Sequence, residues 1–171
     1  MKKRLLVVLL GCLSSAAFSQ DKDKKAPPCP CCIAPHTDFD FWEGDWVVLD
    51  TAGNKVGDNT ISKLEAGCLL QEKWRGKQGG TGTSINYYNK ADATWNQTWV
   101  DDKGNVLKLQ GQLEGNNMVL KGSLIKGKKM DYYNQITWTP NEDGTVTQLW
   151  EIYGVNHKLL RTIFKGIYHK K

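Results

Sequence analysis

From residue 46 to residue 168 apolar and polar side chains alternate with a period of two, and clusters of Gly, Asn and Asp interrupt the pattern every ten residues or so. Alternation of this kind puts one set of side chains on each face of an extended strand. It predicts strands near 46–50, 55–64, 68–75, 82–89, 94–101, 105–114, 117–125, 130–139, 145–153 and 158–168. Breaks such as Ala52-Gly53-Asn54, Lys103-Gly104-Asn105 and Gly115-Asn116-Asn117 supply residues that tolerate positive φ in tight connections. Connections this short join antiparallel neighbours, because a parallel crossover needs a dozen residues or more. A long meander with exposed edges aggregates, and closure removes the edges. The expected fold is therefore all-β, a closed antiparallel up-and-down barrel of about ten strands. Ahead of it, Phe39-Asp40-Phe41-Trp42-Glu43-Gly44-Asp45-Trp46 packs four aromatics into eight residues. Residues 38–44 are expected to make one helical turn capped by Thr37 or Asp38, a short N-terminal helical plug for the barrel.

Several strands sort into faces. Cys68, Leu70, Glu72 and Trp74 are expected to point inward, as are Trp95, Gln97 and Trp99. Leu107, Leu109, Gly111 and Leu113 follow, then Met118, Leu120, Gly122 and Leu124. Tyr132, Asn134, Ile136 and Trp138 line the next strand, and Val146, Gln148, Trp150 and Ile152 the one after it. Strands 55–64, 82–89 and 158–168 do not sort, which points to bulges there. The resulting interior is aromatic and aliphatic, with Glu72, Gln97, Asn134 and Gln148 as polar intruders. A ten-strand wall is wide enough to leave a cavity, and an apolar concavity with a few placed polar groups is the usual make-up of a small-molecule site. The candidate ligand-binding residues are Trp74, Trp95, Trp99 and Trp150 as lining, with Glu72, Gln97 and Gln148 orienting the guest. The competing reading has the polar residues satisfying one another inside a filled barrel. An enzymatic reading makes Glu72 a general base, because a buried carboxylate without a partner has a raised pKa. The sequence offers it no partnered acid, nucleophile or metal triad, so no catalytic residue, metal or cofactor is assigned.

Composition narrows the setting. Lys2-Lys3-Arg4, the apolar run Leu5 to Leu13 and Ala17-Phe18-Ser19 form a secretory signal over residues 1–19. A second reading takes Leu9-Leu10-Gly11-Cys12 as a lipoprotein signal acylated on Cys12, but the very short apolar core ahead of it favours cleavage. No run of apolar residues is long enough to make a transmembrane helix. The expected location is outside the cytoplasm, periplasmic or secreted. Lys2, Lys3 and Arg4 are three of the 23 basic residues, and without them 20 face 18 acidic ones, so the formal charge falls from +5 to +2. The largest basic cluster left is Lys126/Lys128/Lys129, a solvated loop tip that gives nucleic-acid binding no support. Residues 20–37 read as a Pro/Cys-rich extended linker and 38–171 as the barrel. Four cysteines remain after cleavage: Cys29, Cys31, Cys32 and Cys68, which allow three disulfide pairings. The Cys29-x-x-Cys32 spacing also admits soft-metal capture, with His36 or Cys68 as further ligand, or redox cycling. The partner expected of the barrel is a small-molecule ligand, and the sequence fixes no oligomeric state.

Gly44-x-Trp46 at the first strand, with Arg161 on the last, resembles the calycin superfamily of lipocalins, fatty-acid-binding proteins and nitrobindins. That resemblance implies barrel closure by Trp46 with the basic Arg161 lying across it. Phe39 to Trp46, Gly67 to Trp74, Gly82 to Tyr88 and Trp95 to Asp101 are similar to a secreted lipocalin-like family whose activity is unassigned. It implies a barrel that binds something and supplies no reaction. Nitrobindin would imply haem on a histidine. Here Val48 and Asp50 stand where its G-x-W-x-G-x-G motif has glycines, and His157 reads as a turn residue.

Overall fold

The computed structural model describes residues 29–171. The signal segment, with Cys12, and residues 20–28 of the expected linker lie outside them. The chain forms β1 (Gly44–Leu49), β2 (Lys55–Leu64), β3 (Leu69–Gly76), β4 (Thr81–Asn89), β5 (Thr94–Asp101), β6 (Val106–Glu114), β7 (Asn117–Gly122), β8 (Tyr132–Pro140), β9 (Val146–Gly154) and β10 (Leu159–Lys170). Each strand pairs antiparallel with the next, and β1 pairs with β10 to close the barrel. The ten-strand up-and-down barrel expected from the alternation is the fold observed. Among the described residues no helix is long and apolar enough to cross a membrane.

The helical plug is not there. Its place is taken by a single 3₁₀ turn, Asp40–Trp42, whose N-cap Phe39 makes no side-chain cap hydrogen bond. Two constraints leave no room for more. Phe39 and Trp42 are both driven fully into the core, and Gly44, at φ 136°, turns the chain straight into β1. Asp40 is held by an ion pair with Lys63 of β2. The aromatic side chains matter more than the backbone state. Phe39 stacks on Trp42 with ring centroids 5.0 Å apart, and meets Trp138 at 5.1 Å and Trp95 at 5.6 Å edge to face. With Leu70, Met118 and Leu120 these rings fill one end of the barrel solidly.

Residues 30–39 run in successive turns rather than as an extended linker. One disulfide, Cys29–Cys32, closes a turn at the start of this segment, and a second, Cys31–Cys68, ties it to the barrel just ahead of β3, as does the Trp95 indole N–H donating to the Pro35 carbonyl at 3.2 Å. Such bridges belong to an oxidising compartment. With all four sulfurs paired, the linker has no thiolate to offer a metal, so the soft-metal reading fails for this state.

Two expectations about individual side chains are corrected. Leu124 does not face inward: β7 ends at Gly122 and Leu124 is 50% exposed. Arg161 does not lie across Trp46. It is exposed near the start of β10, roughly 30 Å along the strand from the Trp46 end at about 3.3 Å per residue. Lys170, paired opposite Trp46, does the job instead, with its Nζ 5.2 Å from the indole centroid.

Candidate functional site

Antiparallel topology puts the β3–β4, β5–β6, β7–β8 and β9–β10 connections at the end opposite the aromatic cluster. There the barrel is open. A cavity of about 590 Å³ runs inward from a rim at Thr81, Asp101, Asp102, Lys103 and Asn105. Its walls are Trp74 (β3), Trp99 (β5), Trp150 (β9) and Phe164 (β10), and its floor is polar: Glu72, Gln97, Asn134, Gln148 and Tyr168.

Glycines explain why a barrel so rich in tryptophan is not filled by it. A Cβ on Gly82 would sit 2.1 Å from Trp99 Cζ2, one on Gly57 2.5 Å from Trp74 Cη2, and one on Gly166 2.6 Å from Phe164 Cζ. Each ring thus lies back into space vacated by a glycine in the wall, which leaves the centre open. Replacing Gly82 by alanine is expected to push the Trp99 ring into the cavity, at roughly 1–3 kcal/mol of stability. Urea unfolding would measure that loss, and reduced uptake of a neutral naphthalene probe the narrowing. Full probe uptake by a destabilised variant would show that the ring does not border the guest's space.

The floor is one hydrogen-bonded chain across six strands. Gln97 donates from Nε2 to Asn86 Oδ1 at 2.8 Å, and Asn86 Nδ2 donates to Ser84 Oγ at 2.8 Å and to the Leu70 carbonyl at 3.1 Å. Ser84 Oγ donates to Glu72 Oε2 at 2.7 Å, while Asn59 Nδ2 donates to Glu72 Oε1 at 2.7 Å and to the Tyr168 hydroxyl at 3.4 Å. Tyr168 in turn donates to Gln148 Oε1. Asn134 stands apart, accepting from the Trp150 indole N–H at 2.9 Å and so fixing that ring against the wall.

Glu72 is 5% exposed and receives only neutral donors. Burial pushes its carboxyl up to about 7, with the hydrogen bonds from Ser84 and Asn59 pulling the other way. Tyr168 is raised well above the usual phenol range, first by burial and then by the nearby Glu72 charge. A carboxyl whose folded pKa lies above its unfolded one binds its proton more tightly when folded. Its stabilising effect is then complete below the unfolded value near 4.5 and is lost as pH rises to about 7. At about 1.4 kcal/mol per pH unit this is on the order of 3 kcal/mol. The stability difference between the natural protein and Glu72→Gln is therefore expected to shift by that order, in favour of the variant, between pH 5 and pH 8. Urea unfolding at the two pH values reads it, and a difference independent of pH would mean that Glu72 does not titrate there.

No protein-family model matches the chain, and no curated protein matches it in sequence.

The candidate residues therefore stand on geometry. Glu72, Trp74, Gln97, Trp99, Gln148 and Trp150 all border the cavity, as the alternation predicts. Trp95 does not. It is 2% exposed and packs in the filled end against Phe39 and Tyr88, because it stands one inward position nearer that end than Gln97. The reading in which polar residues satisfy one another is also partly realised, since Glu72, Gln97 and Gln148 are linked through Asn59, Ser84, Asn86 and Tyr168. Sequence reasoning missed all four linkers. They sit on the strands that did not sort, and the pairing of Glu72 with Ser84 and Ile61 across the sheet is the register that would have found them. His157 takes a turn conformation at φ 59° and meets Tyr133 at 2.9 Å, outside the cavity lining.

Proposed function

We propose that this is an exported, lipocalin-like barrel that holds a small apolar or amphipathic ligand in its open half. The observation that carries the reading is a cavity of about 590 Å³ with indole walls and a polar floor, within the roughly 300–1,000 Å³ range of small-molecule sites. The resemblance of the Trp-rich blocks to secreted calycin-type barrels supports it, as do the two disulfides. Gln97, Gln148 and Glu72 orient the guest while Trp74, Trp99 and Trp150 contact its apolar body. The alternative of Glu72 as a general base has less behind it, because both carboxylate oxygens already accept from protein donors.

Native mass spectrometry of the purified chain is expected to show a retained small molecule, and N-phenyl-1-naphthylamine, an uncharged probe, is expected to bind one per barrel with a rise in its emission. Absence of both a retained guest and saturable probe binding would overturn the reading.

A further inference from the structure

The charges around the cavity are unequal. Glu72 lies in the floor, and Asp101 and Asp102 lie at the rim, where Asp101 is held below the usual carboxylate range chiefly by its hydrogen bond from the Asn105 side chain. Asp102 accepts from the Thr81 backbone N–H at 2.9 Å. Among the described residues the only basic side chain lining the space is Lys103, in the β5–β6 turn at the rim, and no salt bridge involves Glu72. The floor carboxyl therefore faces the cavity with Asn59 and Ser84 as its donors and no cation to balance it. A buried carboxylate without a counter-charge is costly, and the group responds by taking up a proton or by acquiring a partner. The cavity above it is bordered by three indoles and a phenyl ring. Aromatic faces attract a positively charged nitrogen, most strongly where water is excluded.

From the uncompensated Glu72 carboxyl beneath Trp74, Trp99, Trp150 and Phe164, we infer that the preferred guest of this cavity is an organic cation, an amine or quaternary ammonium carried on an apolar body. The inference rests on the ligand-binding reading of the same cavity and adds the guest's chemical class. The cationic head sits low, between the indole walls and Glu72, and supplies the charge the floor lacks. Gln97, whose amide nitrogen is engaged by Asn86, borders the same space as a further polar group. The apolar body points to the mouth past Leu107 and Ile163. The acidic pair at the rim draws cations toward the opening and turns anions away.

The test is competition against N-phenyl-1-naphthylamine in the full chain by three molecules of one shape: phenyltrimethylammonium, its neutral isostere tert-butylbenzene, and anionic benzenesulfonate. Phenyltrimethylammonium is expected to displace the probe at concentrations about tenfold or more below those of the neutral isostere, with the sulfonate weakest. Glu72→Gln and, independently, Trp99→Leu are each expected to erase most of that advantage, read within each variant as the ratio of the displacing concentrations of the ammonium and of tert-butylbenzene. The second variant keeps the test informative if the first folds poorly. Equal or better displacement by the neutral or anionic molecule would overturn the cation assignment while leaving the cavity reading in place. So would failure of the ammonium to compete for a bound probe, or an advantage that survives both substitutions. Failure of the probe itself to bind would instead overturn the ligand-binding reading on which this rests.

Discussion

Trp42→Ala is expected to lower unfolding free energy by about 4 kcal/mol and the melting midpoint by roughly 8–16 °C, while leaving the open half of the barrel able to bind its guest. Trp42 has no exposed surface, its ring stacks on Phe39 and contacts Trp138 at 5.3 Å, and its carbonyl accepts the Trp46 indole N–H at 2.9 Å. Truncation removes a large apolar surface from water and leaves a void that surrounding rings cannot close. The informative comparison is Trp74→Ala. That ring is only partly buried and borders the cavity, so truncating it should cost less than half as much stability and weaken probe binding instead. Calorimetry and probe titration on the two variants separate the filled half from the open half. Equal stability losses, or loss of binding in Trp42→Ala at a temperature where it remains folded, would contradict the division.

The second large effect is covalent. Cys31 and Cys68 are separated by 37 positions, and a bridge closing a loop of that length restricts the unfolded chain by roughly 4 kcal/mol in the chain-entropy account. The double substitution Cys31→Ala/Cys68→Ala is expected to lose about that much, whereas Cys29→Ala/Cys32→Ala, whose bridge spans 3 positions, should lose about half of it or less. Denaturant unfolding with and without reductant reads both. The same treatment releases the segment that covers Trp95 and Tyr88, so a rise in the exposure of those rings should accompany the longer bridge's loss and not the shorter one's. Similar losses for the two pairs would mean that the Cys31–Cys68 bridge does not anchor the segment.

How far the sequence led can be followed strand by strand. β3, β5, β6, β8 and β9 carry apolar or aromatic residues inward and polar ones outward, so simple alternation orients them and picks out six cavity residues correctly. β2 and β4 defeat it for a physical reason. Their inward positions are Gly57, Asn59 and Ile61, and Gly82, Ser84, Asn86 and Tyr88, while Ile85 and Tyr87 of β4 lie outward at 41% and 37% exposure. The inside is polar or bare there because it must bond Glu72 and receive the indoles of Trp74 and Trp99. A reading that equates inward with hydrophobic inverts such strands, and local rules fail most often where a site is built. β10 fails differently. Its register shifts between Leu159 and Arg161 and again between Thr162 and Phe164, and each bulge exchanges the faces. The same shifts hide which basic residue of that strand reaches Trp46. Thr37 and Asp38 carry the cap chemistry that predicts a helical turn, and neither caps the 3₁₀ turn that forms. The demand to bury Phe39 and Trp42 overrode it.

The seam between β1 and β10 sets an order of assembly. It joins the first and last strands of the meander, with Lys171 N–H reaching the Asp45 carbonyl at 3.0 Å. Every other ladder links sequence neighbours and can zip as soon as its hairpin exists, but this one must wait for the whole meander, because contacts distant along the chain carry the largest closure entropy. Until then β1 presents an unpaired edge that invites a neighbouring chain. During synthesis, therefore, the barrel stays an open ribbon until the C-terminal strand has emerged, and the interval before that strand docks is when intermolecular pairing competes with folding.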